Sequence, residues 1–248
     1  MNTHAAVPLP DNPNYNSLGF SPGFMNLDNI AKAEAALPRE GYLIIENGYH
    51  QDMCQEIIKV MDTLCPDKRV ERRYSGTEMR IWDAQKQHRL FETFYQECNL
   101  FASNVMGHEM SAYTLLAIRN RALDPSDLES AKGRWHIDSF RKQLKIFLFL
   151  TDTTESSGPF EFIPGTHMWN FKLRMVCKGA YFTPSDLFKT TRRYQHLDEA
   201  DISKVLHSGR GSRPAICKAG TVMVVNTSAI HRARPCREGS RYALTAYF

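Results

Sequence analysis

Gly133-Arg134-Trp135-His136-Ile137-Asp138-Ser139-Phe140 and, far downstream, Ile230-His231-Arg232 are the stretches that decide how this chain folds and what it can hold. His136 and Asp138 are two residues apart. On an extended strand, side chains at i and i+2 leave the same face, so an imidazole and a carboxylate at this spacing can reach one metal ion. The third ligand has to come from a distant strand. His231 is the candidate because it follows Gly220-Thr221-Val222-Met223-Val224-Val225-Asn226, a Gly-led apolar run with the character of a core strand. Two imidazoles and one carboxylate on one face of an ion leave the opposite positions open, the arrangement of non-haem Fe(II) sites that react with O2. His-x-Asp alone is a weak signal, so the reading depends on what lies beyond it.

What lies beyond it is Arg241, ten residues after His231, in the terminal run Ser240-Arg241-Tyr242-Ala243-Leu244-Thr245-Ala246-Tyr247-Phe248. A guanidinium stays charged when buried and binds a carboxylate with a planar fork. Ala243 and Thr245 share the face of Arg241, so the Thr245 hydroxyl can meet the same carboxylate. Arg237 is the rival for this role, but Glu238-Gly239 beside it reads as a turn. The order His-x-Asp…His…Arg is accompanied by Phe149-Leu150-Thr151-Asp152-Thr153-Thr154-Glu155-Ser156-Ser157-Gly158-Pro159 and by Ile163-Pro164-Gly165-Thr166-His167. Together these phrases resemble the phytanoyl-CoA dioxygenase (PhyH) family of Fe(II)/2-oxoglutarate-dependent oxygenases, from about residue 40 to the end of the chain.

The resemblance implies a double-stranded β-helix (jelly-roll, cupin-like) core, Fe(II) on His136, Asp138 and His231, and 2-oxoglutarate as co-substrate with its distal carboxylate on Arg241. It implies consumption of O2 and hydroxylation of an aliphatic C–H, with release of succinate and CO2. Desaturation or cyclisation is the alternative outcome of the same chemistry. No side-chain acid or base is needed, so no catalytic residue is expected beyond the metal centre. Asp138 argues against halogenating relatives, which lack that carboxylate. His167 is expected to stabilise its turn.

Two further residues are candidates for co-substrate contact. Asn226 either hydrogen-bonds 2-oxoglutarate or caps a turn. Lys145 shares a strand face with Phe147 and Phe149, where an ammonium is awkward in an apolar interior, so either that face is the solvated outside or Lys145 points into the barrel toward an anion. The net charge of +4 is mild, but its distribution is not. Arg119, Arg121, Lys132, Arg134, Arg141, Lys142 and Lys145 surround the first ligands, and Arg232, Arg234, Arg237 and Arg241 the last. A site at their meeting point would attract a small anionic substrate. Arg134, Arg141, Lys142 and Trp169 are the candidate substrate contacts, with Trp135 and Phe140 as packing residues or pocket walls. Nucleic acid is not expected, since no aromatic stacking platform is evident.

The 248 residues suffice for one domain. The reading divides them into an N-terminal arm over 1–24 and one domain over 25–248, with helical support at 25–110, the barrel at 111–248 and an insertion at about 165–211. Helices are expected at 26–37, 52–64, 85–106, 166–176 and around 199–206. Strands are expected at 41–46, 113–119, 143–150, 160–163, 213–218, 221–226, 230–234 and 241–247, and 70–76 is a loop or edge strand. Helices first and strands later suit a mainly β fold with flanking helices. No run of eighteen apolar residues is present, so no membrane span is expected. The chain start has no secretory pattern and its end no peroxisomal address, and six scattered cysteines read as reduced thiols, all of which points to the cytoplasm. Two other classes fit the same ligands: a non-redox metal hydrolase, which leaves Arg241 unexplained, and a ligand-binding jelly-roll without catalysis.

Overall fold

A computed structural model describes residues 23–67, 70–128, 133–178, 183–187, 195–207 and 211–248. Residues 1–22 of the expected arm, Lys132, and residues 189–193 of the expected insertion, with their basic sequence Lys189-Thr190-Thr191-Arg192-Arg193, lie outside these.

Three helices come first. α1 (Leu27–Arg39) is capped by the Asn26 side chain, which accepts from the Asn29 N–H. The helix runs past the expected end at residue 37, with Pro38 in its last turn. α2 spans Gln51–Leu64 and α3 Arg89–Met106. The helix expected over 85–106 is divided: Ala84–Lys86 is a separate 3-10 turn, and His88 caps α3 by accepting from the Leu90 N–H. Gly107 ends α3 at φ 70°, a left-handed value that favours glycine.

The strands form two sheets. β1 is Tyr42–Ile45, β2 Glu71–Arg73, β3 Glu78–Ile81, β4 Thr114–Arg121, β6 Leu144–Phe149, β10 Val222–Asn226 and β12 Ser240–Tyr247. They make a seven-stranded sheet in the order β1-β10-β6-β12-β4-β3-β2. β5 (His136–Ile137), β7 (Phe160–Phe162), β8 (Gln195–His196), β9 (Arg213–Pro214) and β11 (His231–Ala233) make the second sheet, ordered β8-β5-β11-β7-β9. All these pairings are antiparallel. The chain is thus mainly β with flanking helices, a cupin-like fold, as the sequence implied.

Side-chain alternation explains the layers. Leu144, Ile146 and Leu148 of β6, Val222 and Val224 of β10, and Leu244 and Ala246 of β12 pack against Ile57, Met61, Phe94 and Phe101 of the helices. Each large apolar side chain buried there contributes roughly 1.5–3 kcal/mol. The intervening residues face the second sheet, where Phe149, Met223 and Val225 meet Phe160 and Phe162. The expected insertion supplies α4 (Trp169–Cys177), β8 and α5 (Glu199–His207). Phe171, Ile202 and Val205 from it cover Trp135, Ile137 and Ile230 on the outer face of the smaller sheet.

The stretch 70–76 proves to be edge strand β2 and the start of a hairpin whose second strand, β3, the sequence reading did not foresee. Its tip runs through Tyr74, Ser75 and Gly76 at φ 48°, 53° and 87°. No helix among the described residues is long and apolar enough to cross a membrane.

Candidate active site

The two sheets enclose a cavity of about 690 Å³. The smaller sheet presents His231 of β11 directly opposite His136 of β5, with ring centroids 4.2 Å apart. Asp138 follows β5 by one residue. Its Oδ2 lies 3.4 Å from His231 Nε2 and its Oδ1 3.8 Å from His136 Nε2. One ligand atom from each residue falls within 4.8 Å of the others.

The hydrogen bonds behind the rings suit metal binding. Nδ1 of His136 lies 2.7 Å from the Arg134 carbonyl, and Nδ1 of His231 lies 2.8 Å from the Ala229 carbonyl. A carbonyl only accepts, so each Nδ1 carries a proton and Nε2 is the ring atom turned toward Asp138. Burial, then the neighbouring His231, push the His136 pKa down to about 3, so that ring is neutral at physiological pH. Burial alone would raise the pKa of Asp138, but His231 and Lys145 outweigh it and hold the carboxyl ionised, well below its ordinary range. The Nε2 atoms of two imidazoles and an ionised carboxylate oxygen are donors of the kind a divalent transition metal takes, so the donor set fits one.

The larger sheet forms the facing wall. Lys145 is buried and points inward, its Nζ 2.6 Å from Asp138 Oδ2 and 4.2 Å from the centre of the Tyr247 ring. Arg241, Ala243, Thr245 and Tyr247, alternate residues of β12, all line the cavity. The Arg241 side chain is buried and donates from Nη2 to Asn120 Oδ1 at 2.8 Å. Burial opposes its charge, against the support of Cys236 and Glu78.

The sequence matches the model of the phytanoyl-CoA dioxygenase (PhyH) family over residues 37–241. The chain belongs to the PhyH family. Solved structures share its fold. The epimerase SnoN, in complex with Fe3+, alpha ketoglutarate and nogalamycin RO, has a TM-score of 0.67 at 15% identity, over 90% of this chain and 84% of that one. EctD from S. alaskensis, with 2-oxoglutarate and 5-hydroxyectoine, has a TM-score of 0.66 at 16% identity, over 92% and 80%. The carbocyclase SnoK from nogalamycin biosynthesis has a TM-score of 0.62 at 14% identity, over 87% and 82%. A search of curated protein sequences gave no match.

Other candidates of this PhyH chain fall elsewhere. Asn226 caps a turn: its Oδ1 accepts from the backbone N–H of Gln143 and Ser228, away from the cavity. Arg141 and Lys142 are exposed and outside the cavity wall, and Lys142 reaches the Met106 sulfur. Trp169 is half-exposed and packs edge-on against Phe140. Of the four substrate candidates only Arg134 lines the cavity. Trp135 is a packing residue under the Arg232 guanidinium.

The basic mouth also shrinks. Arg119 is buried on the helical side against Asp62, and Arg237 is exposed in the loop between β11 and β12. Arg232 and Arg234 are both bound to the buried Glu161. Arg121, Arg134, Arg234, Lys145 and Arg241 remain as cavity cations from the expected set. His167 donates from Nε2 to the Pro38 carbonyl, 3.2 Å away, and packs over Gly41. Among the cavity residues not foreseen from the sequence are Tyr74, Glu78, Arg80, Asn120, His196 and Tyr247. Of these, Asn120 and Tyr247 carry a usable signal, since both continue the alternation of strands that the sequence reveals.

Proposed function

We propose that this PhyH protein is an Fe(II)/2-oxoglutarate-dependent dioxygenase. In this reading it hydroxylates an aliphatic C–H of a small, anionic metabolite, with succinate and CO2 as co-products. The single observation that carries the reading is the convergence of His136, Asp138 and His231 within 4.8 Å in a cavity that also receives the buried Arg241. A non-redox hydrolase would have no use for that arginine, and a mere binding module none for the ligand set.

His136, Asp138 and His231 would hold the iron, which supplies O2 activation when bound. Arg241 would anchor the distal carboxylate of 2-oxoglutarate, with Thr245 beside it. Lys145 keeps Asp138 ionised and oriented and offers a buried ammonium to a carboxylate at the metal. Phe147, Phe149 and Phe160 keep bulk water from the reacting carbon. Arg121 and Arg134, at the exposed edge of the cavity, supply the attraction for an anionic substrate. All six cysteines are unpaired, in keeping with a reducing cytoplasm.

A second outcome, epimerisation or ring closure, is favoured by the likeness to SnoN and SnoK, an epimerase and a carbocyclase. The experiment that tests the reading is turnover of 2-oxoglutarate to succinate with Fe(II) and O2, against panels of acyl-CoAs, sugar acids, amino acids and nucleotides. A substrate that raises succinate release supports the reading, and the mass of its product, gained by one oxygen or not, separates the two outcomes. No release with any metal or panel would exclude it.

A further inference from the structure

Three strands of the larger sheet place three polar side chains on one rung. Glu78 of β3 lies opposite Asn120 of β4, and Asn120 lies opposite Arg241 of β12. Residues directly opposite one another share a face, so all three point into the cavity. They are joined by hydrogen bonds. Arg241 Nη2 donates to Asn120 Oδ1 at 2.8 Å, and Asn120 Nδ2 donates to Glu78 Oε2 at 2.8 Å. Arg80 Nε closes the chain by donating to Glu78 Oε1 at 2.8 Å.

Each link fixes the next. A carboxylate only accepts, so Glu78 requires the NH2 of the Asn120 amide and turns its carbonyl oxygen to Arg241. That oxygen binds a single N–H of a guanidinium that has five. Among the described residues this is the only side-chain hydrogen bond of Arg241. A carboxylate in direct contact would occupy the fork; Glu78, one side chain removed, supports the buried cation and leaves the fork open. Arg80 keeps Glu78 from advancing. The β2–β3 hairpin therefore contributes more than an edge to the sheet.

We infer that Asn120 and Glu78 are positioning residues that orient the Arg241 guanidinium for the distal carboxylate of the co-substrate. The inference rests on the reading of Arg241 given above. A fork held in place before binding loses little side-chain freedom on binding, so its alignment is worth affinity. The effect is confined to ligands that carry a distal carboxylate.

The test is calorimetric binding of 2-oxoglutarate and of pyruvate to the Ni(II)-loaded full chain without O2. Pyruvate has the same keto-acid head and no distal carboxylate. R241M should lose 2-oxoglutarate affinity by roughly a hundred-fold and leave pyruvate unchanged. N120A should lose roughly ten-fold for 2-oxoglutarate alone. E78Q, which keeps an oxygen for Asn120 but not the charge, should lose about three-fold; it also serves as the readout if N120A does not fold. If R241M weakens 2-oxoglutarate but N120A and E78Q bind it like the wild type, the positioning role is wrong and the arginine anchor stands. Equal loss of both ligands in N120A and E78Q would mark a general disturbance and also overturn the inference. Unchanged 2-oxoglutarate affinity in R241M would remove the anchor itself and the inference with it.

Discussion

His231 of β11 stands directly opposite His136 of β5 in an antiparallel pair, and their rings meet at 4.2 Å. The candidate metal centre is therefore a product of strand register. A slip of one residue would turn one imidazole to the outer face of the sheet, among Ile137 and Ile230, and remove it from the cavity. What secures the register is the close approach of the two chain segments and the apolar cover behind them.

Gly133 marks that approach. A Cβ added there would lie 1.7 Å from the Ala233 carbonyl oxygen, a backbone atom that cannot yield without moving β11. G133A is expected to cost about 2–3 kcal/mol or more in a urea melt and to lower metal affinity with it. A variant that melts like the wild type would show that the segments are not held at this spacing.

Much of this was legible in the sequence, and the exceptions have physical causes. The i, i+2 alternation puts Lys145, Phe147 and Phe149 on one face of β6, and Arg241, Ala243 and Thr245 on one face of β12, because a period of two survives in any buried strand; both faces line the cavity. The hairpin β2–β3 left no such trace. Glu71–Arg73 and Glu78–Ile81 are short and charged, and Glu78 gains its place only by pairing with Asn120, forty-two residues on. The spacing of Arg232 and Arg234 does not show that Glu161, some seventy residues earlier, binds both. Local spacing shows which face a residue takes within its strand, but not which distant partner will neutralise it.

Glu161 gives a pH signature. Burial would raise its pKa, but the bonds from Arg234, Ser212 and Arg232 outweigh this and bring it from 4.5 to about 2. A folded-state pKa below the unfolded one means stability that is complete above about 4.5 and lost as the pH falls toward 2. E161Q should therefore lower stability by about 2 kcal/mol at neutral pH, solvent screening included, and by progressively less below pH 4.5. Denaturant melts across this range check it; a gap between variant and wild type that does not narrow with acid would contradict it.

Lys172 gives a slope of the same sign in a more alkaline window. It is buried in α4 with its Nζ 2.5 Å from the Phe140 carbonyl, and burial lowers its pKa from 10.5 to about 7. Between those values the unfolded chain holds a proton that the folded chain releases, so wild-type stability should rise as the pH goes from about 7 toward 10.5. K172M should lack that rise, so the wild type gains on it with increasing pH. Parallel thermal melts of the two proteins at pH 7 and pH 9.5 would show it, and equal slopes would place the ammonium in solvent.

Asn226 separates a structural role from a co-substrate contact. Its Oδ1 accepts two buried backbone N–H groups. N226A should cost about 1–3 kcal/mol of stability through those stranded donors and leave 2-oxoglutarate affinity within two-fold of wild type, by roughly the margin expected of a residue that makes no ligand contact. Normal stability with a large loss of 2-oxoglutarate affinity would reverse the assignment.

The central claim is that three side chains brought together by strand pairing bind iron and leave room for a keto acid. Its most direct measurement is the visible absorption of the Fe(II)-loaded protein titrated with 2-oxoglutarate under anaerobic conditions. A saturable charge-transfer band in the wild type that is absent in H231A is the predicted result. A wild type that binds iron yet shows no band, or an H231A variant with an undiminished one, would contradict it.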